Sequence, residues 1–416
     1  MNELPRGLRP PCPKCRKLIF HNMMMRHPFF LRYFKFLLLA LPTVIIAQTT
    51  VHTEVHVLTS EDPAEARDIW VNLPPGYHDT IGTPPRYPVI YLLDAERTHA
   101  MAMGVIPWMI NNQQIPESIV VSIPNVDRFR DMTPTHSLLD ADGTTPPAFA
   151  SSGGAAGFDR FLQHTVDSFL HANYRTNGYT VIVGHSLGGL YVTQSYLDNQ
   201  FYDGYLALDP SYWWDGEYTI DRLRGHPDTD DLCDSRLYLC GASHSSTRNT
   251  SAMRRSLGHF VEALRQEISC PQQVLPAQFD DEHHGSVPMV GLYYGLRFIF
   301  EGFELPVNAL LNPDVAEIER HFTKYSERMG SRFLLPEAQI LLYANHFLRV
   351  EQKVDRGLAF YEWSTRAYPD SARSHKHLGL AYAELGRMED ALRSMRVVRR
   401  LDPQDATANQ FLKDND

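Results

Sequence analysis

Short apolar runs that alternate with helical patterns are the feature that most constrains the fold of this chain. Three continuous apolar runs have the length of strands buried on both faces, at residues 88–93, 118–123 and 180–183. Helical spacing separates or follows such runs, at residues 158–173, 187–197, 253–267 and 290–300. Because strands buried on both faces need helices on both sides, we predict an α/β domain with a mostly parallel sheet over residues 48–305.

From residue 306 to residue 416 only helical patterns remain. The last two helices carry the pattern of a tetratricopeptide repeat, a helical hairpin of about 34 residues, at Leu378, Gly379, Tyr382, Gly386, Ala391 and Pro403. A degenerate repeat precedes it, with Pro369 in register and Gly357 where the pattern has alanine. One hairpin cannot bury its apolar face alone. We therefore expect this region to pack on its neighbours or on the α/β domain and to offer a surface for a protein partner.

Residues 1–47 have the organisation of a signal peptide. Three basic residues (Arg26, Arg32 and Lys35) precede an apolar run over residues 36–47, and a cleavage point follows Ala47. The run is shorter than the roughly 20 residues of a membrane span. The alternative is a retained N-terminal membrane anchor. The stretch before this run is unusually long for a signal peptide, so we expect translation to start at Met23, Met24 or Met25. Cys12 and Cys15 would then precede the start, and their spacing is weak evidence for a metal or redox site.

Charge and cysteine content narrow the function classes. The chain has 39 basic and 49 acidic residues, and residues 48–416 hold 31 and 48 of them. This acidic balance excludes nucleic acid as the main partner. An exported protein, periplasmic or secreted, is expected.

Three cysteines follow the leader, Cys233, Cys240 and Cys270. An oxidising compartment permits one disulfide among them, and the sequence does not select the pair.

The run that ends at residue 183 leads directly into Gly184-His185-Ser186-Leu187-Gly188, followed by a helix. This is the G-x-S-x-G nucleophile elbow in its strand-to-helix context, and it predicts Ser186 as a catalytic nucleophile. The alternative is that the glycines serve only tight packing of strand against helix. In α/β enzymes that carry this elbow, one N–H of the oxyanion hole comes from the residue after the nucleophile, here Leu187. The other comes from the loop after an early central strand, and we assign it to Ala95, which follows the strand that ends at Leu93.

A serine nucleophile needs a base, and a carboxylate commonly orients it. In this fold the acid and the histidine follow the serine in that order. His283 and His284 both follow the last strand. The segment after the strand at residues 236–239 has no carboxylate, so the acid stays open, with Asp209 and Glu262 as candidates and a Ser–His dyad as the alternative.

Several motifs recur together, and in this order, in the putative-esterase family of α/β hydrolases, which includes esterase D and the enterochelin esterases. The matching segments are Pro74 to Tyr77, Pro88 to Asp94, Asp127 to Pro134, Gly184 to Gly189, Asp209 to Asp215 and His284 to Pro288. The chain resembles this family over residues 50–303 and a subgroup of it with a helical tail. The resemblance implies that His284, which directly precedes Gly-Ser-Val-Pro, is the base. The family often has an acid after the seventh strand and Gly at the position of Ala95.

The expected function is an exported serine carboxylesterase that acts on a small-molecule ester and needs no metal or organic cofactor. The resemblance favours siderophore-type or aryl esters, ahead of simple acyl or feruloyl esters. Arg128 and Arg130 are expected to meet an anionic or catecholate group, or else to brace their own loop by pairing with Asp127 and Asp131. Trp213 is expected to line the site or to serve the core. The alternative function is a degraded hydrolase domain that acts as a scaffold for the helical repeats.

Overall fold

A computed structural model of the 416-residue chain describes residues 53–61, 64–75, 77, 85–198, 200–244 and 248–415. The predicted leader, its cleavage point after Ala47, and Cys12 and Cys15 lie outside these residues. Within them, no helix combines the length and the apolar character needed to cross a bilayer.

Eight strands form one sheet in the order β1-β2-β4-β3-β5-β6-β7-β8. The first two strands are antiparallel to their neighbours, and the strands from β3 to β8 run parallel to one another. The predicted mostly parallel α/β sheet is therefore confirmed. The strands are β1 Thr53–Glu61, β2 Ala64–Asn72, β3 Tyr87–Leu93, β4 Ile119–Ile123, β5 Thr176–His185, β6 Gly204–Leu208, β7 Arg236–His244 and β8 Val274–His283.

Helices cover both faces of the sheet, as the continuous apolar strands require. They are α1 Ala95–Asn111, α2 Arg128–Met132, α3 Ala155–Arg160, α4 Asp167–Asn173, α5 Leu187–Asp198, α6 Trp214–Arg224, α7 Arg248–Glu267 and α8 Val287–Ile299. A π-helical turn, Phe161–Val166, joins α3 to α4. Alternate residues of β3 separate the two layers: Ile90 and Leu92 pack in the layer of α1 and α8, and Val89, Tyr91 and Leu93 pack in the layer of α3 to α7.

In the described residues 306–415 the regular elements are all helical, as predicted. They are α9 Val307–Leu311, α10 Val315–Met329, α11 Glu337–Asn345, α12 Val354–Ala367, α13 Ala372–Glu384, α14 Met388–Leu401 and α15 Ala406–Asn415, with a π-helical turn His346–Val350 after α11. The turn between α13 and α14 contains Gly386 in the left-handed conformation, φ 74°. Ala391 and Leu378 of this hairpin are buried.

One hydrophobic core joins the sheet to the helical region. It includes Ile90 of β3, Leu292 of α8, Phe333 before α11 and Phe360 of α12. The helical region thus packs on the α1/α8 face of the sheet and on its own helices, the arrangement expected for a hairpin that cannot bury its apolar face alone. The domain boundary at residues 305/306 stays a prediction.

The structure selects one disulfide, Cys233–Cys270, and leaves Cys240 as a buried free thiol among the described residues. Cys233 precedes β7 and Cys270 precedes β8, so the bond ties together the segments that lead into the last two strands. Burial raises the pKa of Cys240 to about 12. Cys240 therefore stays a neutral thiol and packs as a small apolar group.

Candidate active site

Ser186 occupies a tight turn between β5, which ends at His185, and α5, which begins at Leu187. Its backbone is left-handed, with φ 61°. A methyl group added at Gly184 would lie 2.2 Å from the carbonyl oxygen of Gly188, so only glycine fits the close approach that the turn creates. A non-glycine residue held in this conformation is strained, and such strain is typical of functional positions.

A second hydroxyl lies beside the serine. Ser211 Oγ is 3.2 Å from Ser186 Oγ, and the N–H of Ser211 donates to the carbonyl oxygen of Ser186 at 3.1 Å. Ser211 is buried in the loop that follows β6. Sequence reasoning did not assign it a role, because its closeness to Ser186 depends on the pairing of β5 with β6.

His284 follows β8 and lies against the elbow. Its ring centroid is 4.4 Å from that of His185, the residue before Ser186. Its Nδ1 is 2.7 Å from Asp209 Oδ2. Because that contact occupies Nδ1, Nε2 is the nitrogen left to exchange a proton with a hydroxyl. The other candidate base, His283, accepts the N–H of Gly285 with its Nδ1 and so closes its own turn.

Asp209 is buried and held from the neighbouring strand. Its N–H donates to the carbonyl oxygen of Cys240 at 2.8 Å, and the N–H of Ala242 donates to its Oδ1 at 3.2 Å. The segment at the end of β7 has no carboxylate of its own. Its backbone groups instead orient the carboxylate of Asp209, which follows β6. The other candidate acid, Glu262, is exposed on α7, where it accepts from Gln266. The structure brings Asp209, and not Glu262, to His284.

His185 stays neutral at physiological pH. Burial, and then the neighbouring His284 imidazole, lowers the pKa of His185 to about 4. A neutral ring packed against His284 adds no positive charge beside the imidazole that is to accept a proton.

The two predicted oxyanion donors both begin helices. Leu187 is the first residue of α5 and Ala95 the first residue of α1. N–H groups in the first turn of a helix have no acceptor within that helix, and they lie at the positive end of its dipole. Both predicted groups therefore have the character that an oxyanion needs.

The two arginines predicted to bind substrate both pair with carboxylates of the protein. Arg128 donates to both oxygens of Asp94, at 2.6 and 2.9 Å. Arg130 donates to Asp131 at 2.7 Å and to Glu65. Loop bracing, the alternative interpretation, agrees better with these contacts than substrate binding does. For Arg128, however, the partner is Asp94 rather than the predicted Asp127 or Asp131.

Trp213 lies on the loop after β6, which also carries Asp209 and Ser211. It is half-buried and its ring centroid is 5.8 Å from that of the buried Trp214. Trp214 is fully buried and serves the core, and its Nε1 donates to the carbonyl oxygen of Thr135 at 3.3 Å.

Residues 60–220 match the family model "Putative esterase". This segment includes the strands from β2 to β6, the elbow and Asp209. The histidine on the loop after β8 lies beyond the matched residues.

Three known proteins show how far the similarity extends. Ferri-bacillibactin esterase BesA of Bacillus subtilis (strain 168) is 28% identical over 187 residues, which are 41% of this chain and 62% of that protein. The solved structure of an IroE-like serine hydrolase from Shewanella oneidensis is 26% identical with a TM-score of 0.65, over 76% of this chain and 99% of that one. An uncharacterised protein from Capnocytophaga ochracea, 14% identical with a TM-score of 0.54, shares the fold over 87% of this chain and 99% of its own.

The match to the Capnocytophaga protein covers more residues than the sheet region provides, so the shared fold includes helices after residue 305. The match to BesA spans less than two thirds of that protein. This chain therefore carries the putative-esterase pattern over residues 60–220 and is similar over 187 residues to a ferri-bacillibactin esterase.

Proposed function

We propose that this protein is a serine carboxylesterase in which Ser186 is the nucleophile, His284 the base and Asp209 the acid. The contact of 2.7 Å between His284 Nδ1 and the buried Asp209 Oδ2, on a ring packed beside the elbow, is the observation that carries the proposal. In this proposal Asp209 supplies the carboxylate that the segment after β7 lacks. The Ser–His dyad and the degraded scaffold both assume that this carboxylate is missing. The homologues support a hydrolase that acts on esters.

The proposed reaction uses these residues in two half-reactions. Ser186 Oγ attacks the ester carbonyl while its proton passes to His284 Nε2, and Asp209 stabilises the imidazolium that forms. The N–H groups of Leu187 and Ala95 stabilise the oxyanion of the tetrahedral intermediate. The alcohol leaves with the proton from His284. Water, deprotonated by the same imidazole, then releases the acid and restores Ser186.

The proposed substrate is a small-molecule ester of the siderophore type. BesA acts, by its name, on ferri-bacillibactin, and the similarity to it supports this class first. Simple acyl esters and feruloyl esters are the competing substrates. Turnover of triscatecholate, feruloyl and acetyl esters by the purified chain ranks these classes directly.

We also propose that the protein is exported, to the periplasm or beyond the cell. The Cys233–Cys270 disulfide supports this, since such bonds persist in oxidising compartments. A tetratricopeptide-like helical region is proposed as well: α12 begins at Val354 and α14 at Met388, the 34-residue spacing of that repeat. Its exposed surface is proposed to bind a protein partner.

The test of the nucleophile is Ser186→Ala. We expect this variant to lose hydrolysis of a short p-nitrophenyl ester, and the wild-type protein to be labelled covalently by a fluorophosphonate that leaves the variant unlabelled. Unlabelled wild-type protein would favour the scaffold alternative. A variant that retains turnover would remove the assignment of Ser186.

A further inference from the structure

Asp94 lies where three loops of the sheet meet. It is the last residue before α1 and therefore directly precedes Ala95, one of the two proposed oxyanion donors. Its carboxylate accepts from Asn125, after β4, at 2.7 Å, and from Arg128 of α2 at 2.6 and 2.9 Å. Only 2% of the Asp94 side chain is exposed, so this charge depends on its protein partners.

Arg128 also contacts the nucleophile elbow. The nitrogen that donates to Asp94 Oδ2 is 3.2 Å from the carbonyl oxygen of His185, the peptide unit just before Ser186. One planar guanidinium therefore bonds both to the loop after β3 and to the loop after β5. A guanidinium suits this task because its donors lie in a fixed planar fork.

The same carboxylate lies against the first turn of α5. A methyl group added at Gly188 would lie 3.2 Å from Asp94 Oδ2. The negative charge thus sits at the positive end of the helix that begins with Leu187, the second proposed oxyanion donor. The backbone of Asp94 is left-handed, with φ 56°, a strained conformation for this residue, and its side chain does not cap its own helix α1.

We propose that the Asp94–Arg128 pair is the positioning device of the oxyanion hole: it fixes the separation of the Ala95 and Leu187 N–H groups and does not bind substrate. The inference rests on the proposed esterase function. Ala95 is covalently next to Asp94, and Leu187 is two residues after the carbonyl that Arg128 contacts. The pair therefore spans the gap across which the two N–H groups must converge on one oxygen.

This role has a distinct kinetic consequence. The oxyanion exists only in the tetrahedral intermediate and its transition states, so misplaced donors lower kcat and leave KM nearly unchanged. A group that binds an anionic substrate would instead affect KM. A displacement of about 1 Å can lower a rate about a hundredfold.

The variant to make is Arg128→Lys. It retains the positive charge beside the buried Asp94, so the fold is preserved, but a single ammonium cannot bond to both carboxylate oxygens and to the His185 carbonyl together. We expect kcat for a neutral p-nitrophenyl ester to fall by about tenfold to a hundredfold with KM within about twofold. The inhibition constant of a trifluoromethyl ketone, which forms a tetrahedral adduct with serine, should rise in parallel with the loss of kcat/KM.

Arg67→Lys is the matched control. Arg67 also makes a bidentate buried pair, with Asp131 at 2.8 and 3.1 Å, and neither of its partners, Asp131 and Glu65, lies on the loop after β3 or the loop after β5. It should lower the melting temperature at least as much as Arg128→Lys does, and retain kcat.

Three results would overturn the inference. They are a raised KM with unchanged kcat in Arg128→Lys, unchanged kinetics in that variant, and an equal loss of kcat in both lysine variants. Failure of the proposed function is a separate outcome, because it would appear as turnover that survives Ser186→Ala or as wild-type protein without turnover.

Discussion

The sheet region, residues 53–305, and the helical region, residues 306–415, use backbone strain differently. In the sheet region three non-glycine residues at the carboxyl ends of strands are left-handed: Asp94 after β3, Ser186 after β5 and Asp209 after β6. In the described part of the helical region, the left-handed residues are Gln352, Gly330 and Gly386, all at helix ends or turns. Four other non-glycine residues of the described sheet region are left-handed as well, Gln113, Gln200, Asp215 and Glu217, but only in the sheet region do such residues also lie where the proposed chemistry takes place.

Two buried ion pairs of the sheet region contrast with two exposed pairs of the helical region. Asp94–Arg128 and Arg67–Asp131 join buried carboxylates, each 2% exposed, to guanidiniums of the sheet region. The pairs Arg349–Glu384 and Arg366–Glu319 of the helical region have side chains that are all at least 42% exposed. Exposed pairs contribute little to stability, whereas buried ones fix geometry. Loss of the Asp94–Arg128 pair should therefore change the rate, whereas loss of either exposed pair of the helical region should change neither the rate nor the stability by much.

The largest expected effect tests the acid. Asp209→Asn retains the shape of the side chain and an oxygen that can accept from Ala242, but it removes the charge that stabilises the imidazolium. We expect kcat to fall by about a thousandfold to ten thousandfold with little change in the melting temperature.

Glu262→Gln is the companion variant, since Glu262 is the other candidate acid and is exposed on α7. Steady-state hydrolysis of a p-nitrophenyl ester checks both variants. A dyad would be indicated if Asp209→Asn retained most of the rate, and the contrast between the two regions would then lose its main support.

The next effect tests the joint between the regions. Phe333, 4% exposed, packs its ring 5.7 Å from Tyr179 of β5 and 5.1 Å from Tyr325 of α10. Phe333→Ala leaves a cavity in the shared core and should lower the free energy of unfolding by about 3–5 kcal/mol. Urea unfolding measures this loss. The kcat of the folded fraction should stay that of the wild type, and a large fall in kcat would show that the helical region also shapes the site.

The smallest effect concerns Glu117. This residue lines a cavity of about 380 Å³ that lies between the helical region and the residues at the start of strands β3 and β4. Burial raises the pKa of Glu117 to about 7. The folded protein thus disfavours the ionised carboxylate of Glu117. The contribution of the neutral acid to the free energy of unfolding is fully present below about pH 4.5, the ordinary pKa of glutamate, and is lost as the pH rises through about 7. Glu117→Gln removes this loss and should stabilise the protein at pH 8 by up to about 3 kcal/mol, with no gain at pH 4.

Urea unfolding of both proteins at each pH checks the prediction for Glu117. The lowered pKa of His185 acts with the opposite sign, since it makes stability rise with pH, but it is present in both proteins and cancels in the comparison. Glu304→Gln, at an exposed position beyond α8, should change nothing. An equal gain at pH 4 and pH 8 would contradict the assignment to the charge of Glu117.

Much of the architecture could be predicted because buried strands and amphipathic helices have distinct periodicities. The strands Tyr87–Leu93 and Ile119–Ile123 and the start of helix α5 at Leu187 lie where the pattern places them, to within one residue. The sequence of helix α1 does not predict a helix, because Gly104 and Pro107 both disfavour that conformation. The short α2 and the start of α6, with its left-handed residues 215–217, offer no periodicity that a pattern could detect.

The sequence by itself determined the elbow, because a strand, a tight turn and a helix are local and two glycines are enough to mark them. It also placed a histidine after the last strand. Only the tertiary structure showed that His284 contacts Asp209 and not Glu262, which cysteines pair, and that the partner of Arg128 is Asp94. Those contacts join residues 34 to 75 positions apart, and their formation depends on which strands are neighbours in the sheet.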